Sequence, residues 1–252
     1  MDCWTVSDGT DTARISGDPE AWLVELDISE PTASGDPSDE LGTNDDRERR
    51  LLEAATQALV GQGGGRLEYW IQKVTDKSDE VPTRAGFVPY RDLLRLRRQL
   101  PALHTDLAVR MFTPEDAEGF IECNNRAFDW HPDQGEMTHE DLAAKQGELW
   151  YDPEGFLLLE ENGIIIGFCW TKMHTHEKPA LGEIYAIAVD PEHHGRGLGR
   201  ELTLAGLAHL AERGLRQAIL YVESDNQAAR KMYQNLGFDL EFTSRAYQRI
   251  VR

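Results

Sequence analysis

The run His194, Gly195, Arg196, Gly197, Leu198, Gly199, Arg200 is a basic, glycine-rich turn with the makings of an anion site. A short apolar strand, Ile184 to Val189, precedes it and stops at Asp190-Pro191, and a helix-patterned run follows. At such a junction successive backbone N–H groups stand unpaired at the positive end of a helix dipole, which suits a pyrophosphate. Glycine lets a phosphate approach the backbone with no Cβ in the way. Glycines also mark ordinary turns, so the turn alone says little. It gains meaning from a second segment, Ala218 to Phe238. There Ala218–Val222 reads as a buried strand, Asp225 or Asn226 as a helix N-cap, and Gly237 as the C-cap, with Phe238 opening another strand.

The elements that must position these residues can be traced upstream. Leu107–Phe112 reads as a strand, about Pro114–Phe128 as a helix, and Thr138–Trp150 as a second helix after a loop containing His131-Pro132-Asp133-Gln134-Gly135. Phe156–Glu161 and Ile164–Met173 form a hairpin around Asn162-Gly163, a strong two-residue turn signal. The next strand begins at Glu183. The pattern changes near Pro101-Ala102, which divides the chain into residues 1–103 and 104–252. In the first part, Trp22–Ile28 is strand-like, Asp46–Val60 helical, Leu67–Ile71 a strand, and Ala85-Gly86-Phe87 precedes the strand-like Asp92–Arg97. That order repeats the second half of the later unit without its first strands, and its turn lacks the R-G-x-G. The Asp/Ser/Gly-rich stretch from Pro31 to Asp46 is expected to be a mobile loop whose acidic side chains would repel a phosphate.

The R-G-x-G turn and the run N-x-x-A-x-x-x-Y-x-x-x-G-F (226–238) closely resemble the GCN5-related N-acetyltransferase (GNAT) superfamily. The resemblance implies an α/β (α+β) fold, a mixed central sheet flanked by helices, and makes residues 1–103 a degenerate half-GNAT repeat. HPDQG (131–135), GFCWTK (167–172), GEIYAIAVDP (182–191) and LYVESDNQAARKMYQNLGF (220–238), with the duplication, resemble the mycothiol synthase family. Members acetylate the cysteinyl amine of a cysteine–glucosamine–inositol precursor with acetyl-CoA. Carried over residue by residue, the resemblance puts acetyl-CoA contacts on Ile187, Ala188 and Val189. It adds His194, Gly195, Arg196, Gly197, Leu198, Gly199 and Arg200, then Asn226, Gln227, Ala228, Ala229, Arg230 and Lys231. It puts acceptor contacts on Asp133, Lys172, Glu183 and Tyr221. His194 departs from the Gln or Arg usual there, and Asp133 from an expected Glu.

The chemistry has its own logic. An α-amine has a pKa near ~8, so only about a tenth is neutral and nucleophilic at pH 7. Glu183, at the start of the central strand, can take the proton directly or through a water. Tyr233, two helical turns beyond Asn226 on the same face, can protonate the departing thiolate. Backbone N–H groups near Val189 would hold the oxyanion. Cys169 on a packed strand and Cys123 on a helix are not needed as acyl carriers. Simpler readings compete: Glu183 as a charge at a strand edge, Tyr233 as packing, Lys172 and Asp133 as solvated charges. His174, His176 and Glu177 resemble a metal cluster but lack a paired Cys or His motif, so no metal is expected.

Acidic residues outnumber basic ones 45 to 26, which argues against nucleic acid and anionic membranes as partners. No apolar run approaches a signal peptide or a membrane span, and three unpaired cysteines fit a reducing compartment. The chain therefore reads as a cytoplasmic, monomeric enzyme acting on a small amine. An acetyltransferase for another small amine or a protein N-terminus, or an acetyl-CoA sensor without catalysis, are the alternatives.

Overall fold

The computed structural model describes residues 2–18, 20–28, 43–129 and 135–252. The chain divides into two units, one of Met1–Leu94, Glu223–Asp225 and Phe242–Arg252, the other of Arg95–Val222 and Asn226–Glu241. Most of the Pro31–Asp46 stretch, and Asp133 with the His-Pro-Asp-Gln run, lie outside the described residues.

In the first unit, β1 (Asp2–Asp8), β2 (Asp11–Asp18) and β3 (Ala21–Asp27) form an antiparallel meander. Helix α1 (Asn44–Gly61) follows, then β4 (Gly65–Ile71), α2 (Asp76–Arg84) and β5 (Val88–Gln99). The sequence suggested one strand ahead of the long helix; the unit has three. The β1–β2 connection is a tight turn with Gly9 at φ 64°, a backbone that glycine adopts without strain. Strand β2 turns Ala13 and Ile15 inward at alternate positions, and Leu51, Leu52, Ala55 and Leu59 recur on one stripe of α1. The buried Arg47 of α1 donates from Nε to Asp11 Oδ2 of β2 at 2.6 Å, so both charges leave water as a pair.

The second unit runs β6 (Arg110–Met111), α3 (Ala117–Ala127), α4 (His139–Gln146), β7 (Phe156–Glu161), β8 (Ile164–His174) and β9 (Leu181–Val189). Then come α5 (Leu198–Glu212), β10 (Gln217–Glu223), α6 (Gln227–Asn235) and β11 (Asp239–Val251). From Phe242 on, β11 counts with the first unit, where it pairs antiparallel with β4. The strand order is β10-β9-β8-β7-β6, parallel between β10 and β9 and antiparallel elsewhere. The expected strand Leu107–Phe112 shrinks to two residues, and a 3₁₀ turn (Pro114–Asp116) opens the first helix. The second helix stops at Gln146, four residues short of Trp150. Trp150 instead turns in against Trp170 and Tyr185, at ring separations of 5.8 and 4.7 Å.

Phe112, Phe120, Phe156, Phe168 and Trp170 fill the space under α3, with Phe156 stacked on Trp170 at 4.2 Å. Each such burial contributes roughly 1.5–3 kcal/mol, which fixes the register of β7 and β8. On the opposite face, α5 lies close to the sheet at Gly206. A Cβ there would strike Cys169 Sγ and come within 2.8 Å of Ile184 Cδ1.

Candidate active site

The site is built around a register fault. Trp170 of β8 is paired with Ala186 of β9, but Thr171 is paired with Ile184, so Tyr185 is an extra residue, a β-bulge. On its other edge β9 pairs with β10 only over Gly182–Ile184, against Ala218–Leu220. Beyond the bulge the two parallel strands part, and Tyr185 to Val189 are half-buried rather than sealed. Ile187, Ala188 and Val189 thus border an opening, with their other edge bonded to Cys169, Phe168 and Gly167. An extended ligand could bond this exposed strand edge as a further strand would.

The glycine-rich turn stands at the end of that opening. Gly195 and Gly197 have φ of 80° and 77°, and a Cβ on either would meet nothing within 4 Å. Gly197 is the N-cap of α5 and offers no side chain to its first N–H groups, leaving that helix end open to an anion. His194 donates from Nε2 to Val189 O at 2.9 Å, folding the turn back on β9. Arg196 is bonded to Glu161 at 2.8 and 3.1 Å, and Arg200 to Glu201. Both arginines are exposed, so a phosphate would compete with weak surface pairs. Asp190 anchors the start of the turn. Its buried carboxylate accepts from Arg126 Nε at 2.8 Å and from the Glu192 N–H at 3.0 Å. Burial alone would raise the Asp190 pKa, but these bonds outweigh it and the net shift is downward.

On the α3–α4 side of the sheet lie three of the four candidate acceptor residues, Lys172, Glu183 and Tyr221, Asp133 being outside the described residues. Lys172 and Glu183 are cross-strand partners, so they share a face. Glu183 is only 7% exposed, and His174, two residues beyond Lys172, lies 2.5 Å from Glu183 Oε2 through Nε2. Lys172 Nζ sits 4.6 Å from the centre of the Trp150 ring and 5.5 Å from that of Tyr185. Lys145 Nζ donates to the Tyr185 hydroxyl at 3.0 Å. Tyr221 follows on β10 on the same side as Ile219, the partner of Glu183, and is 41% exposed. Its pKa is raised, first by burial and in part by Glu183, while Arg95 opposes the shift.

Asn226 caps α6 by accepting from the Ala229 N–H at 3.1 Å, so Gln227 to Lys231 form the helix's first turns. Met232 Sδ lies 3.6 Å from where a Cβ of Gly199 would sit, which brings α6 beside the start of α5. Tyr233 is buried edge-on to Phe238, and burial, then the nearby Cys169, raises its pKa above that of an ordinary tyrosine. Cys169 and Cys123 are buried with pKa values pushed up to about 12, chiefly by desolvation, which keeps both as thiols.

Sequence reasoning missed His174 as the partner of Glu183, Arg126 as the clamp on Asp190, and the Trp150–Tyr185 bed beneath Lys172. The sequence pattern ends the strand at Met173, whereas His174 is the last residue of β8. Alternation from Lys172 placed it on the acceptor face, but its reach to Glu183 depends on the β8–β9 register.

The Acetyltransferase (GNAT) family model matches residues 124–238. A mycothiol acetyltransferase of Thermobispora bispora is 41% identical over 233 residues, covering 88% of this chain and 77% of that protein. One from Mycobacteroides abscessus is 41% identical over 211 residues, covering 81% and 71%. Among solved structures, a GCN5-related N-acetyltransferase from Sphaerobacter thermophilus superposes with a TM-score of 0.76 at 17% identity, over 96% of this chain and 77% of that one. A tandem GNAT protein from the clavulanic acid biosynthesis pathway gives 0.67 at 16% identity, over 99% and 82%.

Proposed function

Because the chain belongs to the acetyltransferase (GNAT) family, within its mycothiol acetyltransferases, we propose that it acetylates the cysteinyl amine of the cysteine–glucosamine–inositol precursor with acetyl-CoA. The observation that carries the reading is the parting of β9 from β10 at Tyr185, with an open helix end at Gly197 and a buried carboxylate at Glu183. In this reading the diphosphate of acetyl-CoA lies on the backbone of His194–Arg200, and its pantetheine arm runs along Ile187–Val189. Asn226–Lys231 flank it. Glu183 takes a proton from the acceptor ammonium, and the neutral nitrogen attacks the thioester carbon. Backbone N–H groups near Val189 stabilise the oxyanion while the C–S bond breaks.

The departing thiolate takes its proton from Tyr233, and the second proton that the nitrogen sheds on becoming an amide returns to the phenolate. A phenol is ordinarily a weaker acid than a thiol, by about 1.5 pKa units. Burial raises both Tyr233 and the nearby Cys169 thiol, so apolar surroundings of this kind favour the neutral form of a thiol as they do that of a phenol. We assign acceptor contacts to Lys172, Glu183, Tyr221 and, outside the described residues, Asp133. No described helix is long and apolar enough to cross a membrane, and we assign a cytoplasmic monomer.

The test is a screen of acceptors with acetyl-CoA, setting the cysteinyl pseudodisaccharide against small amines and peptide N-termini. The pseudodisaccharide is expected to be preferred, and Lys172→Ala to raise its KM while sparing that of acetyl-CoA. Acetylation of peptide amines with the pseudodisaccharide ignored removes this substrate and keeps the acetyltransferase; no turnover of any amine leaves a non-catalytic binder.

A further inference from the structure

We propose that His174 is a positioning residue that aims the Glu183 carboxylate and, on taking up a proton, weakens it as a base. The inference rests on Glu183 being the base of the proposed reaction. His174 closes β8, Glu183 lies near the start of β9, and a 2.5 Å contact joins Nε2 to Oε2. A carboxylate only accepts, so the imidazole nitrogen in this contact carries the hydrogen and donates it. One carboxylate oxygen is thereby held, and the rotation that would turn the other away from an incoming amine is restricted.

The two groups differ in their access to water. The Glu183 side chain is 9% exposed and that of His174 is 26% exposed. A proton can therefore reach the imidazole from solvent while the carboxylate stays sequestered. In the neutral state His174 orients Glu183 without taking its charge. As imidazolium it forms an ion pair, and a neighbouring positive charge favours the ionised carboxylate and lowers its basicity. Two lysines share this face: Lys172 of the same strand lies over aromatic rings rather than on the carboxylate, and Lys145 is bonded to the Tyr185 hydroxyl. Tyr221 of β10 interacts with Glu183 and also with Glu177 of the β8–β9 loop, Arg95 and Glu241. Of these, histidine is the one whose ordinary titration falls between pH 5 and 8.

The expected signature is in the acid limb of kcat/KM. Glu183 must be ionised to take the ammonium proton, which gives that limb a slope of one, and a proton on His174 makes it steeper. His174→Gln keeps an N–H donor that does not titrate. It should hold most of the rate at pH 8 and lose the second proton from the limb. His174→Ala should lose about tenfold in kcat at pH 8, a modest part of the 10²–10⁴ typical of general-base catalysis, with the acetyl-CoA KM unchanged. In parallel, the imidazole C–H resonance of His174 in the whole protein should titrate at lower pH once Glu183→Gln removes the carboxylate. A limb of unchanged slope in His174→Gln, or full rate at pH 8 in His174→Ala, overturns the proposal while leaving Glu183 as base. An imidazole titration unmoved by Glu183→Gln overturns the coupling itself, and that reading needs no turnover. Wild-type protein that acetylates no amine instead refutes the proposed reaction.

Discussion

In the proposed reaction two protons move in opposite senses, one to Glu183 and one from Tyr233, and both residues are buried. Tyr233→Phe removes only the acid. We expect kcat to fall by roughly 10²-fold while acetyl-CoA affinity, read by titration calorimetry, stays nearly unchanged. Glu183→Gln removes the base and should cost most at low pH, where few amines are already neutral, with partial recovery as pH approaches ~8. Wild-type pH–rate profiles in both variants would mean that the two residues only pack. The sequence offers these two as candidates because each stands at a fixed step from a turn or a cap, Glu183 from the 187–189 strand end and Tyr233 from Asn226. His174 was not legible in that way. It meets Glu183 across a nine-residue separation that only the strand register, itself shifted by the bulge at Tyr185, brings to hydrogen-bond distance.

At the scale of elements, the β7–β8 hairpin was readable to the residue at its start, since Asn162 and Gly163 both adopt the positive φ that such a turn demands. Expectations failed where tertiary packing overrides local pattern. The run Leu107–Phe112 alternates like a strand, yet its ladder with β7 is two residues long, Arg110 and Met111, extended by a single bond from the Phe112 N–H to Phe156 O at 2.8 Å. The helix after it is fixed instead by Asp116, which accepts from the Thr113 N–H at 2.7 Å, from Thr113 Oγ1 at 2.9 Å, and from two Arg110 nitrogens at 2.7 Å. These bonds, led by Arg110, hold the Asp116 pKa down at about 2, below its unfolded value near ~3.9. A depressed carboxylate contributes stability above the unfolded pKa and loses it as pH falls toward the folded one. Asp116→Asn should therefore be less stable than wild type by about 1 kcal/mol at pH 5 and above, the usual worth of such a cap. The gap should close between roughly pH 4 and pH 2 in urea melts. A gap that persists at pH 2 would show that the charge is not what the cap uses.

At the scale of the whole molecule, the two units repeat one theme, three strands, a long helix, a strand, a helix and a strand, but their long helices begin differently. Helix α1 of the first unit is capped by Thr43, whose side chain accepts from the Asp46 N–H, and Asp45 and Asp46 fill its first turn. Both features are good for the helix and bad for a phosphate, which would meet carboxylates at a helix end whose donors are partly used. Helix α5 of the second unit begins at Gly197 with no side-chain cap and open space above two glycines. The duplication was visible in the order of elements, whereas this contrast of caps shows only in the fold, because Thr43 and Gly197 do not align as a motif. In a chain of net charge −19, an anion the size of acetyl-CoA should find one such opening and no second. Calorimetric titration should therefore give one acetyl-CoA per chain, and saturation at about 100 times Kd should stabilise the fold by roughly 2.7 kcal/mol. Gly197→Val, which needs φ near 77° and puts a side chain where the phosphates approach, should abolish binding outright rather than halve its stoichiometry. Two equivalents bound per wild-type chain, or one remaining in Gly197→Val, would assign a phosphate site to α1 in spite of its acidic first turn.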